Sequence, residues 1–212
     1  MTDLTRRPGK SRPRLSPEER REQILRAAGP RFAEHGYSGT DVQDIADDIG
    51  VGKGTIYRHF ATKETLFLAT VQRAVESLSE HVALKVEPLP DPLDKLKGSV
   101  HAYLEFFDAC PGVVELFIQE RAAFGTEAQP LYFAHRDRER AKWQPLFDEL
   151  VARGDLRPLA FRDMADTIGD ALYGAAFAHR LTGGRCSLAE RADAILDVIL
   201  NGILKPGDRA AE

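Results

Sequence analysis

Two short amphipathic patterns meet across Gly50-Val51-Gly52, and this three-residue break constrains the chain more than any other feature. Before it, Val42, Ile45, Ala46 and Ile49 recur at i, i+3, i+4 and i+7; after it, Ile56 and Phe60 form an inward pair on a helix from about Lys53 to Phe60. Three residues allow only a tight turn, so the two helices cross steeply. Gly50 is free to take a positive φ in that turn, Ala46 is small where the helices approach, and Val51 with Ile56 fills the wedge between them. The outward residues of the second helix are then Lys53, Thr55, Tyr57, Arg58 and His59. Such a face suits a DNA major groove: Lys and Arg reach guanine O6/N7 or phosphate, and Thr and Tyr hydroxyls take phosphate oxygens. The alternative is a helical corner whose polar face is incidental.

Helical signals continue on both sides. Ser16-Pro17-Glu18-Glu19 is a capping box with proline at the first helical position, and Ile24, Leu25, Ala28 and Phe32 follow at helical spacing up to His35-Gly36. Pro30 inside that helix predicts a bend near Arg26. Thr40 with Gln43 reads as a second capping box, and Thr62 caps a long helix from Lys63 to about Val86. The N-termini near Thr40 and Lys63 offer backbone N–H groups to phosphate. Pro88, Pro90 and Pro92 then force a corner. Further helices are expected from Leu93 to Cys110-Pro111-Gly112, from about Val113 to Phe124, from about Ala128 to Ala152, from Arg162 to Leu181, and from Ser187 and Glu190 to about Leu204. The charged run Arg136 to Arg140 reads as a solvated face. Strand alternation and internal repeats are not apparent, so the fold expected is all-α with about nine helices.

Composition narrows the function classes. The chain has 212 residues, 43% of them apolar, enough for a sizeable core and too many for disorder throughout. Its richest apolar stretch, Ala171 to Ala178, is flanked by Asp170 and His179, far short of a membrane span. With no apolar segment behind the basic N-terminus, a secretory signal is not expected, and the protein is read as cytoplasmic with no membrane partner. Cys110 and Cys186 lack metal or framework spacing. The net charge is −4, but residues 1–63 hold 12 Lys+Arg against 9 Asp+Glu, whereas residues 64–212 hold 17 against 24. Arg6, Arg7, Lys10, Arg12 and Arg14 face only Asp3 in a segment broken by Pro8, Gly9 and Pro13, which makes a basic arm over residues 1–15. It is either a phosphate or minor-groove contact, with Arg12 and Arg14 nearest the helices, or a solubilising terminus.

Two competing functions find little support. Gly50 to Thr55 superficially resembles a phosphate loop of a small nucleotide-binding enzyme, but the full pattern needs Gly at Asp47 and Ser or Thr at Gly54, after a strand. A Rossmann fingerprint would place its last glycine on Thr55. No catalytic set is discernible and no cofactor is expected. A metal-responsive regulator would need ligands from His81, His101, His135, His179 and the cysteines, which are scattered along the chain.

The string ILRAAGPRFAEHGYSGTDVQDIADDIGVGKGTIYRHFATKETLF, within residues 20–70, resembles the DNA-binding domain of the TetR family of bacterial repressors. The resemblance implies a helix-turn-helix domain at 16–62, a regulatory and dimerisation domain at 63–212, and a homodimer reading a near-palindromic double-stranded operator. It places Thr40, Lys53, Gly54, Thr55, Tyr57, Arg58, His59 and Lys63 at positions that approach DNA. Gly52 departs from it, because serine or alanine is more usual there.

Small residues at Gly169, Ala171, Gly174, Ala175 and Ala178, together with Leu172, and Ile195, Leu196, Ile199 and Ile203 on the last helix, exceed what one helical hairpin covers. A two-chain four-helix bundle would bury them, as the resemblance implies; lining the monomer core is the other reading. Tyr103, Phe107, Phe117, Phe124, Tyr132, Trp143 and Phe147, with His101 and Glu120 as polar anchors, are candidates for a pocket taking a largely apolar or aromatic effector. Such an effector weakens operator binding only by favouring a conformation with misplaced recognition helices, and the Lys63 helix is the expected lever.

Overall fold

The computed structural model describes residues 15–125, 129–184 and 187–202. Among these, ten α-helices and one 3-10 turn occur and no strand. The first, α1 (Pro17–Gly39), opens on the expected box: Ser16 Oγ accepts from Glu19 N–H at 3.1 Å and Glu19 Oε2 accepts from Ser16 N–H at 2.7 Å. It buries Ile24, Leu25, Ala28 and Phe32. Near Arg26, where a bend is expected, no residue leaves helical dihedrals. Pro30 and Arg26 both face solvent, where the carbonyl that loses its partner opens to water, and the helix dihedrals hold. The break lies instead at Gly36, with φ 72° and ψ 170°. A side chain there would be strained, and its Cβ would lie 3.2 Å from the Gln119 amide.

Next come α2 (Val42–Asp48) and α3 (Lys53–His59), joined through Gly50 at φ 67°. Ile45, Ala46, Ile56 and Phe60 are buried as the crossing requires. The cap of α2 is Asp41 rather than Thr40, one residue later than the sequence suggests. Thr40 belongs to the end of α1, its N–H donating to Gly36 O and its hydroxyl lying 2.8 Å from Gly36 O and 3.0 Å from Arg31 O. The long α4 (Lys63–Val86) starts at Thr62, whose Oγ1 accepts from Thr65 N–H.

Beyond the proline corner lie α5 (Pro92–Ala109), α6 (Gly112–Phe124), α7 (Leu131–Glu139), the 3-10 turn Arg140–Trp143, α8 (Gln144–Ala152), α9 (Phe161–Thr182) and α10 (Leu188–Asn201). The single helix expected over 128–152 is thus three pieces, which brings the count to ten. Pro145 has no N–H to give and its ring crowds the carbonyl of Ala141, so the preceding turn tightens. The last helix stops at Asn201 because Gly202 takes φ 75°.

One apolar core runs from α1 to α10 without interruption at residue 62, and a smaller one gathers Leu96, Phe147 and Leu150. Within that core, four aromatic rings pack where α1 meets α4 and α6. Phe67 of α4 meets Phe32 edge-on at 5.0 Å, Tyr37 at 5.2 Å and Phe124 of α6 at 5.7 Å, and Tyr37 meets Phe124 at 5.0 Å.

Candidate nucleic-acid interface and effector cavity

The face of α3 is built by what lies beneath it. Ile56 and Phe60 fix the helix on the core, and 3.6-residue periodicity turns Gly54, Tyr57 and Arg58 outward, with Lys53, Thr55 and His59 half-buried at the edges. Arg58 Nη2 donates to Thr55 Oγ1 at 3.3 Å. Lys63, at the start of α4, donates to Ser38 O at 3.2 Å and lies over the Tyr37 ring at 5.1 Å, so its charge is held at the same end of the molecule. Thr40 does not join this face. It is 2% exposed and both its hydroxyl and its N–H point back into α1. The exposed group in its place is Asp41, which the sequence reading missed; its Oδ1 accepts from Gln43 N–H and from Lys53 Nζ, each at 2.8 Å. These two bonds, the backbone one first, hold the Asp41 carboxyl below its ordinary range, and the carboxylate holds the Lys53 ammonium above its own. Arg12 and Arg14 lie outside the described residues.

A cavity of about 480 Å3 opens between α4, α5, α7, the 3-10 turn, α8 and α9. Its walls are apolar: Val75, Leu78, Val82 and Val86 from α4, Leu96 and Tyr103 from α5, Tyr132 from α7, Trp143 and Phe147, and Ile168 and Leu172 from α9. Tyr103, Tyr132, Trp143 and Phe147 were expected there. The other candidates were not brought in. Phe107 and Phe117 are buried core residues, Phe124 packs on Tyr37 and Phe67, and His101 lies on the outer side of α5, 3.2 Å from Asp193. Aromatic residues at helical spacing fill a core and a pocket wall equally well, and composition does not separate the two.

Several polar groups of the cavity, Arg136, Glu139 and Arg140, come from the charged run that reads as a solvated face. Arg136 and Arg140 keep only 23% and 18% of their side chains exposed. Arg136 Nη1 lies 2.7 Å from Asp170, and Asp166 is shared by Arg140 at 2.6 Å, Arg162 at 3.6 Å and Arg136 at 3.8 Å. Lys142 pairs with Glu139. His135 Nε2 is 2.7 Å from Ser79 Oγ, and burial lowers the affinity of that imidazole for a proton. The hydroxyls of Tyr103 and Tyr132 meet at 2.8 Å, both kept protonated by burial, and Tyr173 beside them is pushed up to about 12. With Arg136, Arg140 and Lys142 set against Glu87, Glu139 and Asp166, the lining carries no net charge.

Glu120, expected as a polar anchor, does not line this cavity. It is buried, its Oε1 accepts from Leu131 N–H at 2.9 Å at the start of α7, and its Oε2 has no partner among the described residues. Burial raises its pKa above the ordinary 4.5, against the opposing pull of the Leu131 N–H. A carboxyl whose folded pKa is raised destabilises the fold as pH climbs from its ordinary value through the raised one. Glu120→Gln is therefore expected to gain stability relative to the parent as pH rises above the ordinary carboxyl value of 4.5 in urea melts. A difference that did not vary with pH would show the carboxyl to be unstrained.

The faces of α9 and α10 divide differently from the sequence reading. Leu172, Ala175 and Ile195 are buried within the monomer, Ile199 is half-buried, and Gly169 packs against the Arg136 side chain. Of the expected α9 set only Gly174 and Ala178 face out, in a stripe with Leu181, the last 68% exposed; α10 adds Ala194 and Val198, the latter 50% exposed. Both helices are apolar on more than one side, so the sequence did not tell the inner stripe from the outer. Ile203 lies outside the described residues.

Residues 24–70 match a family profile described as bacterial regulatory proteins, tetR family, and residues 90–203 match one described as tetracyclin repressor-like, C-terminal domain. The chain is 28% identical to the HTH-type transcriptional repressor KstR2 of Mycolicibacterium smegmatis, covering 92% of this chain and 96% of that protein. It is 35% identical to the HTH-type transcriptional activator FasR of the same organism, over 51% of this chain and 54% of that one. The solved structure of the ketosteroid transcriptional regulator KstR2 of Mycobacterium tuberculosis superposes with a TM-score of 0.63 at 27% identity, covering 88% of this chain and 96% of that one.

Proposed function

Because the chain belongs to the tetR family of bacterial regulatory proteins and is therefore a DNA-binding transcriptional regulator, we propose that it acts as a homodimeric repressor released from a near-palindromic operator by an apolar small molecule. The observation that carries this reading is the polar face of exposed Tyr57 and Arg58 flanked by half-buried Lys53, Thr55 and His59, on a helix locked from beneath by Ile56 and Phe60. In the proposal Lys53 and Arg58 reach base edges or phosphates, while Thr55, Tyr57, His59, Lys63 and the Gly54 backbone hold the DNA strands. Residues 16–62 carry that task and residues 63–212 carry effector binding and dimerisation. The exposed stripe Gly174, Ala178, Leu181, Ala194 and Val198 would be covered by the same stripe of a second chain. That pairing sets two recognition helices about 34 Å apart, one major-groove turn.

The cavity falls within the size range of small-molecule sites, roughly 300–1,000 Å3. Its apolar walls and balanced charges favour a bulky, largely apolar effector, and the relation to a ketosteroid regulator supports that class. The effector acts by differential affinity for the two arrangements of the heads. Two routes carry the change: α4 runs from Lys63 beside the DNA face to Val86 in the cavity wall, and α6 links Glu120 at α7 to Gln119, which reaches Tyr37 N–H at 3.4 Å. Such a regulator works in the cytoplasm beside the chromosome, and no described helix is long and apolar enough to cross a membrane.

The test is selection of bound sequences from a random duplex library at moderate salt. An enriched inverted repeat is expected, and deletion of residues 1–14 is expected to flatten the dependence of log affinity on log salt without erasing the preference. Binding without sequence preference would overturn the reading.

A further inference from the structure

The recognition helix begins on an ion pair that folding hardly needs. Asp41 and Lys53 keep 60% and 40% of their side chains exposed, where such a pair adds little to stability. The capping bond to Gln43 N–H requires only an oxygen, which asparagine supplies as well. Yet among the described residues this is the one hydrogen bond between an acid and a side chain of α3. The other acids of this region are engaged elsewhere or free in solvent: Asp48 takes Arg31, Asp47 takes Gln43, and Asp44 is exposed.

We infer that Asp41 is a positioning residue for Lys53 that sharpens discrimination between operator and bulk DNA. The inference rests on α3 being the recognition helix. To contact any DNA, the ammonium must exchange the Asp41 carboxylate for a new acceptor, and the carboxylate is left near phosphates. Two acceptors of a correctly placed guanine compensate for that exchange, whereas a loosely placed phosphate on unrelated sequence does not. Asp41 therefore weakens sequence-blind binding more than operator binding.

The test measures affinity for the selected operator and for a scrambled duplex across salt, using the full chain. Asp41→Asn keeps the cap, so thermal stability is expected to stay near that of the parent. Its affinity for scrambled DNA is expected to rise more than its affinity for the operator, lowering the ratio about three- to fivefold, and the salt slope on scrambled DNA is expected to steepen by about 0.9. Asp44→Asn removes the same charge without breaking a hydrogen bond to Lys53, on which Asp44 exerts only a weak Coulomb pull, and is expected to raise both affinities nearly alike. In a Lys53→Gln background the Asp41→Asn effect on the ratio is expected to vanish. An unchanged ratio, the same fall with Asp44→Asn, or the same fall in the Lys53→Gln background would each overturn the role of Asp41. A parent with no operator preference would instead overturn the recognition-helix reading, and the inference with it.

Discussion

Replacing Phe67 with alanine is expected to cost about 3–5 kcal/mol of stability and to disconnect the DNA-binding helices from the rest of the chain. Phe67 is fully buried in α4 and touches rings from α1 and α6 at once, so its removal leaves a cavity that three helices would have to close together. Edge-on pairs add about 0.5–1.5 kcal/mol each beyond area, and two of them are lost. For a chain of this size the midpoint temperature should fall by about 6–20 °C. Urea and thermal melts check the figure, and operator affinity measured well below the midpoint checks the connection. A loss under about 1 kcal/mol would mean that the junction relaxes freely and that the four rings are not one packed unit.

The second large effect concerns the effector. Val82 is buried on the face of α4 that lines the cavity, so Val82→Phe places a ring in the space proposed for the ligand. Release from the operator by the molecule that releases the parent is expected to need about 100-fold more of it, close to 3 kcal/mol of lost binding. Operator affinity without effector should change little, since Val82 lies far along α4 from Lys63. Overpacking costs about 1–3 kcal/mol where the surroundings resist, but here the ring enters open space. Leu172→Met, which keeps volume on the opposite wall, is the companion variant and should respond nearly as the parent does. Equal release of Val82→Phe and parent would place the effector elsewhere.

What the sequence made legible was local. Ser16 with Glu19, Ser187 with Glu190, and Thr62 before Lys63 announce helix starts within four residues, and all three caps form. The Gly50 turn is equally local, because its sterics involve only neighbours in the chain. Thr40 and Asp41 show where that stops. Either residue can cap α2, and the choice is made by carbonyls of α1, at Arg31 and Gly36, which take the Thr40 hydroxyl. Arg136 and Arg140 are harder still: their acids sit on α9, far along the chain, so a run that looks solvated is drawn against the cavity. The aromatic candidates divided into wall and core for the same reason, since helical spacing fixes a face and not what the face meets.

The 3-10 turn at Arg140–Trp143 gives the cavity unequal sides. The stretches of α4 and α9 that face it belong to long, regularly bonded helices, whereas the turn before Pro145 is held by shorter loops of poorer hydrogen-bond geometry. A guest wider than the proposed effector is expected to find room on that side first, past Trp143 and Lys142, which line it. If the effector binds there as proposed, selectivity for girth is expected to be soft in that direction and strict across the α4–α9 axis, so that a family of related molecules differing in one dimension would share the site.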